Sequence, residues 1–222
     1  MEQLLYLIGL ILVLWAQIGV QGAYKKYKNK PNNQALTGST VARKILDRYG
    51  LHDVQIEVVQ QELGDHYAPS EKVVRLSPSI AHDSTIASIS VAAHECGHAI
   101  QHATGYGMIG IRNRILPFAI LSNKLSWAVL MLGFVFGITD MIYIGAGLLG
   151  IIAVFQLATL PIELNASSRA LKIIKEEGFA DRDELIGCKK MLNAAAFTYV
   201  AALISSLLQV ARLVLIANRR RD

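Results

Sequence analysis

Four long apolar runs divide this chain of 222 residues. A bilayer offers no water to a backbone N–H or C=O, so separate runs of this kind must cross as helices. Leu4 to Val20 is apolar but for Gln17. Leu116 to Gly137 carries Ser122, Asn123, Lys124 and Ser126 near its start, and Ile142 to Leu160 follows after Thr139-Asp140-Met141. Ala194 to Ile216 is the fourth run and contains Gln209 and Arg212. The hydrophobic share of 53% and charged share of 18% are both shifted from a globular average towards a membrane protein. About four transmembrane helices are therefore expected.

The flanking charges give an orientation. The first run is preceded by Glu2 and followed by Lys25, Lys26, Lys28 and Lys30. A cleaved signal peptide carries its positive charge before the apolar run, so an uncleaved anchor is expected, with its N-terminus outside and the lysines in the cytoplasm. The second and third runs are too close for anything but an antiparallel hairpin. Asp140 lies at its tip and Arg112 and Arg114 at its base, so the tip should face outward. The fourth run ends in Arg219-Arg220-Arg221, which opposes a crossing. It could cross with Arg212 reaching towards the interface, or lie along the cytoplasmic surface; the crossing is the preferred reading. The net charge of +5 belongs to these flanks, and nothing in its placement suggests nucleic-acid binding.

Between the first two spans the chain is mixed and polar. Thr37 is placed to cap a helix whose apolar face is Val41, Ala42, Ile45 and Leu46, with Gly50 to stop it. Val54, Ile56 and Val58 alternate with polar residues as a half-buried strand would. A turn at Pro69-Ser70-Glu71-Lys72 predicts a hairpin ending in Val73 to Leu76, and so a small antiparallel sheet. Asp83 or Ser84 should cap a further helix running to about Ala103, with Gly105 beyond it. Ile86, Ile89, Ala93 and Ile100 give that helix its packed face.

That helix contains His94-Glu95-Cys96-Gly97-His98. Residues four apart project from one helix face, so the two imidazoles can share one metal ion, and the pattern is the zinc-binding one. Glu95, next to the first ligand, is placed to act as a base towards water at the metal. Cys96 points away from the ligand face and reads as a small packing residue. With Cys188 it makes no disulfide framework.

A catalytic zinc takes three protein ligands and keeps one position open. His52, His66, His82, His102, Glu163, Glu176 and Glu177 are the candidates. His102 is in line with the first two on the same helix and cannot easily help surround a tetrahedral ion. His52 sits in a turn, and His82 is two turns early. Glu163 follows Pro161 at the inner end of the third span, where a new helix should start, and is the preferred third ligand. A carboxylate favouring a helix N-terminus is the competing account of Glu163. His66 and Tyr67, on the hairpin, are candidates to stabilise an oxyanion, although packing roles suit them equally.

The run from His94 to Gln101, the membrane hairpin after it, Pro161 to Ser167, Asp65-His66-Tyr67 and Leu192-Asn193-Ala194-Ala195-Ala196 together resemble the YugP-type family of neutral membrane zinc metallopeptidases. The resemblance covers nearly the whole chain. More distantly the chain is similar to the membrane glu-zincins, where an Ala-Asp pair follows the ligand Glu; here Ala166-Ser167 follows Glu163. The resemblance implies an α+β membrane protein with a zincin-like active-site helix, located in a bacterial plasma membrane. It also implies endopeptidase chemistry, with Zn2+ held by His94, His98 and Glu163 and with Glu95 as general base.

The expected organisation is an anchor at 1–23, a cytoplasmic zincin-like part at 24–115 and a transmembrane hairpin at 116–161. A cytoplasmic helix with the third ligand follows at 162–190, then a C-terminal apolar helix and basic tail at 191–222. The expected partners are a protein or peptide substrate and the lipid bilayer. The alternative is a zinc-stabilised membrane scaffold that does not cleave, for which Glu95 would be superfluous. An intramembrane protease is disfavoured, because Ser84 to His102 is too polar to face lipid.

Overall fold

The computed structural model describes residues 2–221. Seven helices and three strands follow in the order α1 (Glu2–Lys28), α2 (Gly38–Arg48), β1 (Gln55–Val58), β2 (His66–Ala68), β3 (Val73–Leu76), α3 (Pro78–His82), α4 (Ile86–Ala103), α5 (Gly107–Val135), α6 (Thr139–Glu176) and α7 (Arg182–Arg221). They form two units. One holds residues up to Ile18, Gly107–Pro161 and residues from Phe197 onward; the other holds Gly19–Tyr106 and Ile162–Ala196.

The first unit is a helical bundle. Its helices are the four that are long and apolar enough to cross a membrane, and the chain is a multi-pass membrane protein. Helices α5 and α6 form the expected antiparallel hairpin: Arg112 lies over the Phe155 ring near one end, and Leu130 and Gly133 meet Gly145 and Ile142 near the other. The turn is Phe136-Gly137-Ile138, three residues earlier than expected, with Gly137 at φ +68°. Glycine takes that left-handed conformation without the Cβ penalty, so it, rather than the polar Thr139-Asp140 pair, sets the corner. Asp140 instead enters the first turn of α6, where the helix dipole favours a carboxylate.

Helix α7 runs antiparallel to α1. Arg212 sits 4.9 Å from the centre of the Tyr6 ring, Gly9 abuts Ser205, and the Trp15 and Phe197 rings meet edge to face at 5.4 Å. The fourth apolar run therefore lies along α1 for most of the length of that span. Leu7, Ile11, Trp15 and Ile18 on α1, and Leu121, Leu125, Trp127 and Met131 on α5, point outward. Such surface is compatible with lipid and not with water.

The second unit carries a hydrophobic core around α4. In α2, Gly38, Val41, Ala42, Ile45 and Leu46 are buried, which is one helical stripe, and the Thr37 side chain caps the helix at Thr40 N. That stripe packs on α4. Ile86, Ile89, Ala93 and Ile100 are all buried, as their spacing predicts. The cap of α4 is Thr85, whose hydroxyl accepts from Ser88 N. Asp83 and Ser84 are displaced from that role because Pro78–His82 forms a separate short helix ending at Asp83.

The sheet has the order β1-β3-β2. The hairpin β2–β3 is antiparallel, with Tyr67 opposite Val74, but β1 runs parallel to β3, with Ile56 opposite Val74. The sheet is thus mixed rather than wholly antiparallel. The segment Val59–Asp65 carries the chain past the slot that β3 later fills, so β2 lands on the far side. Burial also fades into and along β1: Val54, just before it, is buried, Ile56 half-buried and Val58 exposed, as suits an edge strand. Asp65 ties the hairpin shut, accepting from Ser77 N at 2.6 Å and from the Ser77 hydroxyl. Burial raises the Asp65 carboxyl pKa, against the Ser77 hydrogen bonds that lower it.

Helix α6 does not begin at Glu163. It runs from Thr139 to Glu176 through Pro161. Proline removes one backbone donor, and the continuing apolar and packed faces on either side hold the helix across that loss. Glu163 is therefore an interior helix residue, and the account that placed it at a helix N-terminus does not apply.

Close backbone approach sets the position of α2. A Cβ on Gly38 would lie 2.2 Å from the carbonyl oxygen of Ile80. Gly38→Ala should therefore destabilise this unit by about 1–3 kcal/mol through overpacking. Gly22→Ala, with nothing within 4 Å of the new methyl, should not. Thermal unfolding of the two variants in detergent compares them directly.

Candidate metal centre

Helix α4 is hidden on most of its circumference. Its buried residues include Glu95, Cys96, Gly97, Ala99, Ile100 and Gln101, while His94 and His98 are half-buried. Cys96 faces the core, its thiol against the Ala42 carbonyl, and burial pushes its pKa far above the ordinary thiol value. A thiol of that kind is a packing residue.

Opposite the two histidines runs the α6 segment that starts at Ile162. Gly97 lets the two backbones meet: a Cβ there would stand 2.8 Å from Ala166 O and 3.3 Å from Ala166 Cα. That approach brings Glu163 to the histidine pair. Its Oε2 is 3.5 Å from His94 Nε2 and 3.5 Å from His98 Nε2, and the two Nε2 atoms are 3.2 Å apart. These three side chains are the group of metal-ligand type that converges among the described residues.

The triangle has the dimensions of a metal site. Ligand atoms about 2.0–2.1 Å from a tetrahedral zinc are about 3.3–3.4 Å from each other, close to all three edges here. A point equidistant from the three atoms lies about 2.0 Å from each, which is a zinc-to-ligand bond length. The 3.5 Å contacts are too long for good hydrogen bonds. Two imidazoles and one carboxylate are also the donor set of catalytic rather than closed structural sites. The residues present therefore fit the ion.

Each imidazole is held from behind. The Ser167 hydroxyl lies 3.2 Å from His94 Nδ1, and Gln101 Oε1 lies 3.0 Å from His98 Nδ1. Burial disfavours a charge on His98, but the Glu163 and Glu95 carboxylates and the Gln101 amide outweigh it, so its pKa is raised overall. Glu95 is 8% exposed, one position from His94, and its charge reaches Asp65, where it adds to the larger effect of burial.

The remaining candidates lie elsewhere. His52 is exposed and pairs with Asp47, His82 is exposed at the end of α3, and His66 bonds the Gly64 carbonyl. Glu176 pairs with Lys172, and Glu177 with Arg48. His102 is exposed, with its Nδ1 3.3 Å from the Tyr67 hydroxyl. Gln101, Asn165 and Gly97 were not singled out from the sequence. A glutamine one turn beyond His98 is a visible signal only once its complete burial is known, and a glycine between two ligands carries no periodic mark.

Residues 3–218 match the family described as "Putative neutral zinc metallopeptidase". The chain is 42% identical over 218 residues to a Bacillus subtilis (strain 168) protein described as "Putative membrane protease YugP", covering 98% of this chain and 97% of the relative. No solved structure matches.

Gly97→Ala tests the contact beneath the cluster. The added methyl must push α4 and α6 apart at Ala166, so the variant should lose about 1–3 kcal/mol of stability and bind metal more weakly. Zinc titration against a competing chelator, alongside thermal unfolding, measures both. Unchanged affinity would mean that the Gly97–Ala166 contact does not set the ligand spacing.

Proposed function

The chain belongs to the neutral zinc metallopeptidase family, and we propose that it is a membrane-embedded zinc endopeptidase cleaving membrane or membrane-proximal proteins. The observation that carries this reading is the triangle of His94, His98 and Glu163 donor atoms, with edges of 3.2–3.5 Å, beside the buried Glu95.

In this reading His94, His98 and Glu163 would hold a zinc ion. Zinc, when bound, supplies Lewis-acid chemistry that polarises a carbonyl and lets water lose a proton near neutral pH. Glu95 would take a proton from the attacking water on its carboxylate and later deliver it to the leaving amine. Its burial beside the cluster keeps the base where the proton is released. Ser167 and Gln101 hold the imidazole rings so that both Nε2 atoms face the ligand position. The base is what a purely structural zinc site would lack, and it favours catalysis over a scaffold role.

The location follows from the charges. Lys25, Lys26, Lys28 and Lys30 after the first span, with Arg112 and Arg114 before the hairpin, belong on the cytoplasmic side of a bacterial plasma membrane. The segments bearing the ligands connect to those ends, so the site faces the cytoplasm. The antiparallel pairing of α7 with α1 favours a fourth crossing, which takes Arg219–Arg221 to the outer side against the usual bias.

Glu95→Gln should cut hydrolysis of a peptide or casein substrate by about 100-fold or more while one zinc remains bound. Glu163→Ala should lose zinc and activity together, and Glu176→Ala should lose neither. Full activity in Glu95→Gln, or zinc retained at wild-type affinity in Glu163→Ala, removes the mechanism. Cysteine labelling in intact cells tests orientation: a cysteine at Lys28 should be protected from an impermeant reagent and one at Asp140 should react. Labelling of both from one side overturns the hairpin topology.

A further inference from the structure

Gln101 is a glutamine with no exposed surface, and every polar atom of its side chain is engaged. Its Nε2 donates to the Ile162 carbonyl at 2.8 Å and to Asn165 Oδ1 at 3.0 Å, and its Oε1 lies 3.0 Å from His98 Nδ1. Asn165 Oδ1 also accepts from Arg169 Nε at 2.8 Å.

These bonds can be read in one direction only. A backbone carbonyl accepts and cannot donate, so the Gln101 atom facing Ile162 O must be its nitrogen. That nitrogen then faces Asn165, whose atom there must be oxygen. Arg169 agrees independently, because a guanidinium only donates. The Gln101 oxygen is left facing His98 Nδ1. Two acceptors would repel, so Nδ1 must carry the proton. A neutral imidazole has one N–H, and Glu163 Oε2 also faces this ring, at Nε2; at 3.5 Å that contact is too long for a good hydrogen bond, so the 3.0 Å contact to Gln101 holds the proton and the lone pair is on Nε2.

We propose that Gln101, oriented by the Ile162 carbonyl and by Asn165 with Arg169, is a positioning residue that locks metal-free His98 in its Nδ1–H tautomer and ties that ring to the helix segment carrying Glu163. The bonds to residues 162 and 165 bracket Glu163, so one buried amide sets both the ring and the spacing of the carboxylate. His94 has no equivalent. Its Nδ1 meets the Ser167 hydroxyl at 3.2 Å, and a hydroxyl can donate or accept, so that contact leaves both tautomers open. The consequence for metal binding rests on the proposed zinc site; the tautomer itself does not.

The test is nitrogen NMR of histidine-labelled, metal-free protein in lipid, at a pH where the rings are neutral, with His98 assigned by His98→Asn. The wild type should show one His98 tautomer, protonated at Nδ1. Gln101→Leu should give a tautomer mixture and weaken zinc by about 10–100-fold in chelator competition. An Nε2–H signal for His98 in the wild type overturns the proposal without recourse to any variant. So does a Gln101→Leu protein that keeps both the single tautomer and the affinity. If the wild-type tautomer is as stated and no zinc binds, the metal reading fails while the assignment of Gln101 stands.

Discussion

The convergence of residues 94, 98 and 163 depends on one backbone contact. Imidazole and carboxylate side chains are short, and a common point about 2 Å from three of their atoms can exist only where the two helix axes come unusually close. Gly97 against Ala166 supplies that approach, between the two histidines on one helix and three residues beyond Glu163 on the other. Any side chain at 97 would hold the helices apart by its own thickness. The buried apolar packing of α2 on the far side of α4 then presses the motif helix towards α6, so the core and the site are two faces of the same helix.

Closeness alone would be costly. A carboxylate and two imidazoles of low exposure have lost much of their hydration, and burying such groups is costly unless they are paired. The second unit provides partners from residues that are not ligands. Ser167 and Gln101 take the outward ring nitrogens, Asn165 and Arg169 complete the Gln101 amide, and Asp65 is held by the Ser77 backbone. The inward atoms of His94, His98 and Glu163 face one another at 3.2–3.5 Å, and they are the atoms a cation would satisfy.

What the sequence made legible followed from periodicity. The apolar stripe of α2, the packed face of α4 and the four long apolar runs each repeat over many residues, and the structure keeps them all. The errors fall where a single residue decides. Gly137, not the polar residues after it, turns the hairpin, Thr85 rather than Asp83 or Ser84 caps α4, and Pro161 sits inside a helix it was expected to end. Strand direction was equally hidden: alternation is the same for parallel and antiparallel pairing, so β1 could not be oriented from its residues. At the site, the histidine spacing came from helix geometry, whereas Gln101 became visible only when tertiary burial showed that its amide must find partners.

The supports of the two imidazoles differ from the carboxylate of the wider membrane glu-zincin pattern in a way that has an electrostatic logic. With Ser at 167 and Gln at 101, both rings are backed by neutral groups, and Glu163 and Glu95 are the acids of the centre. A third carboxylate at 167 would make the His94 ring a better donor, but it would add negative charge beside Glu95. In a half-buried site each extra unit charge is poorly screened. Neutral supports give up some ligand basicity and spare Glu95 that repulsion. On the other ring, His98, the support is the hydrogen-bonded amide of Gln101. His94, next to Glu95, is backed by the Ser167 hydroxyl, which can donate or accept.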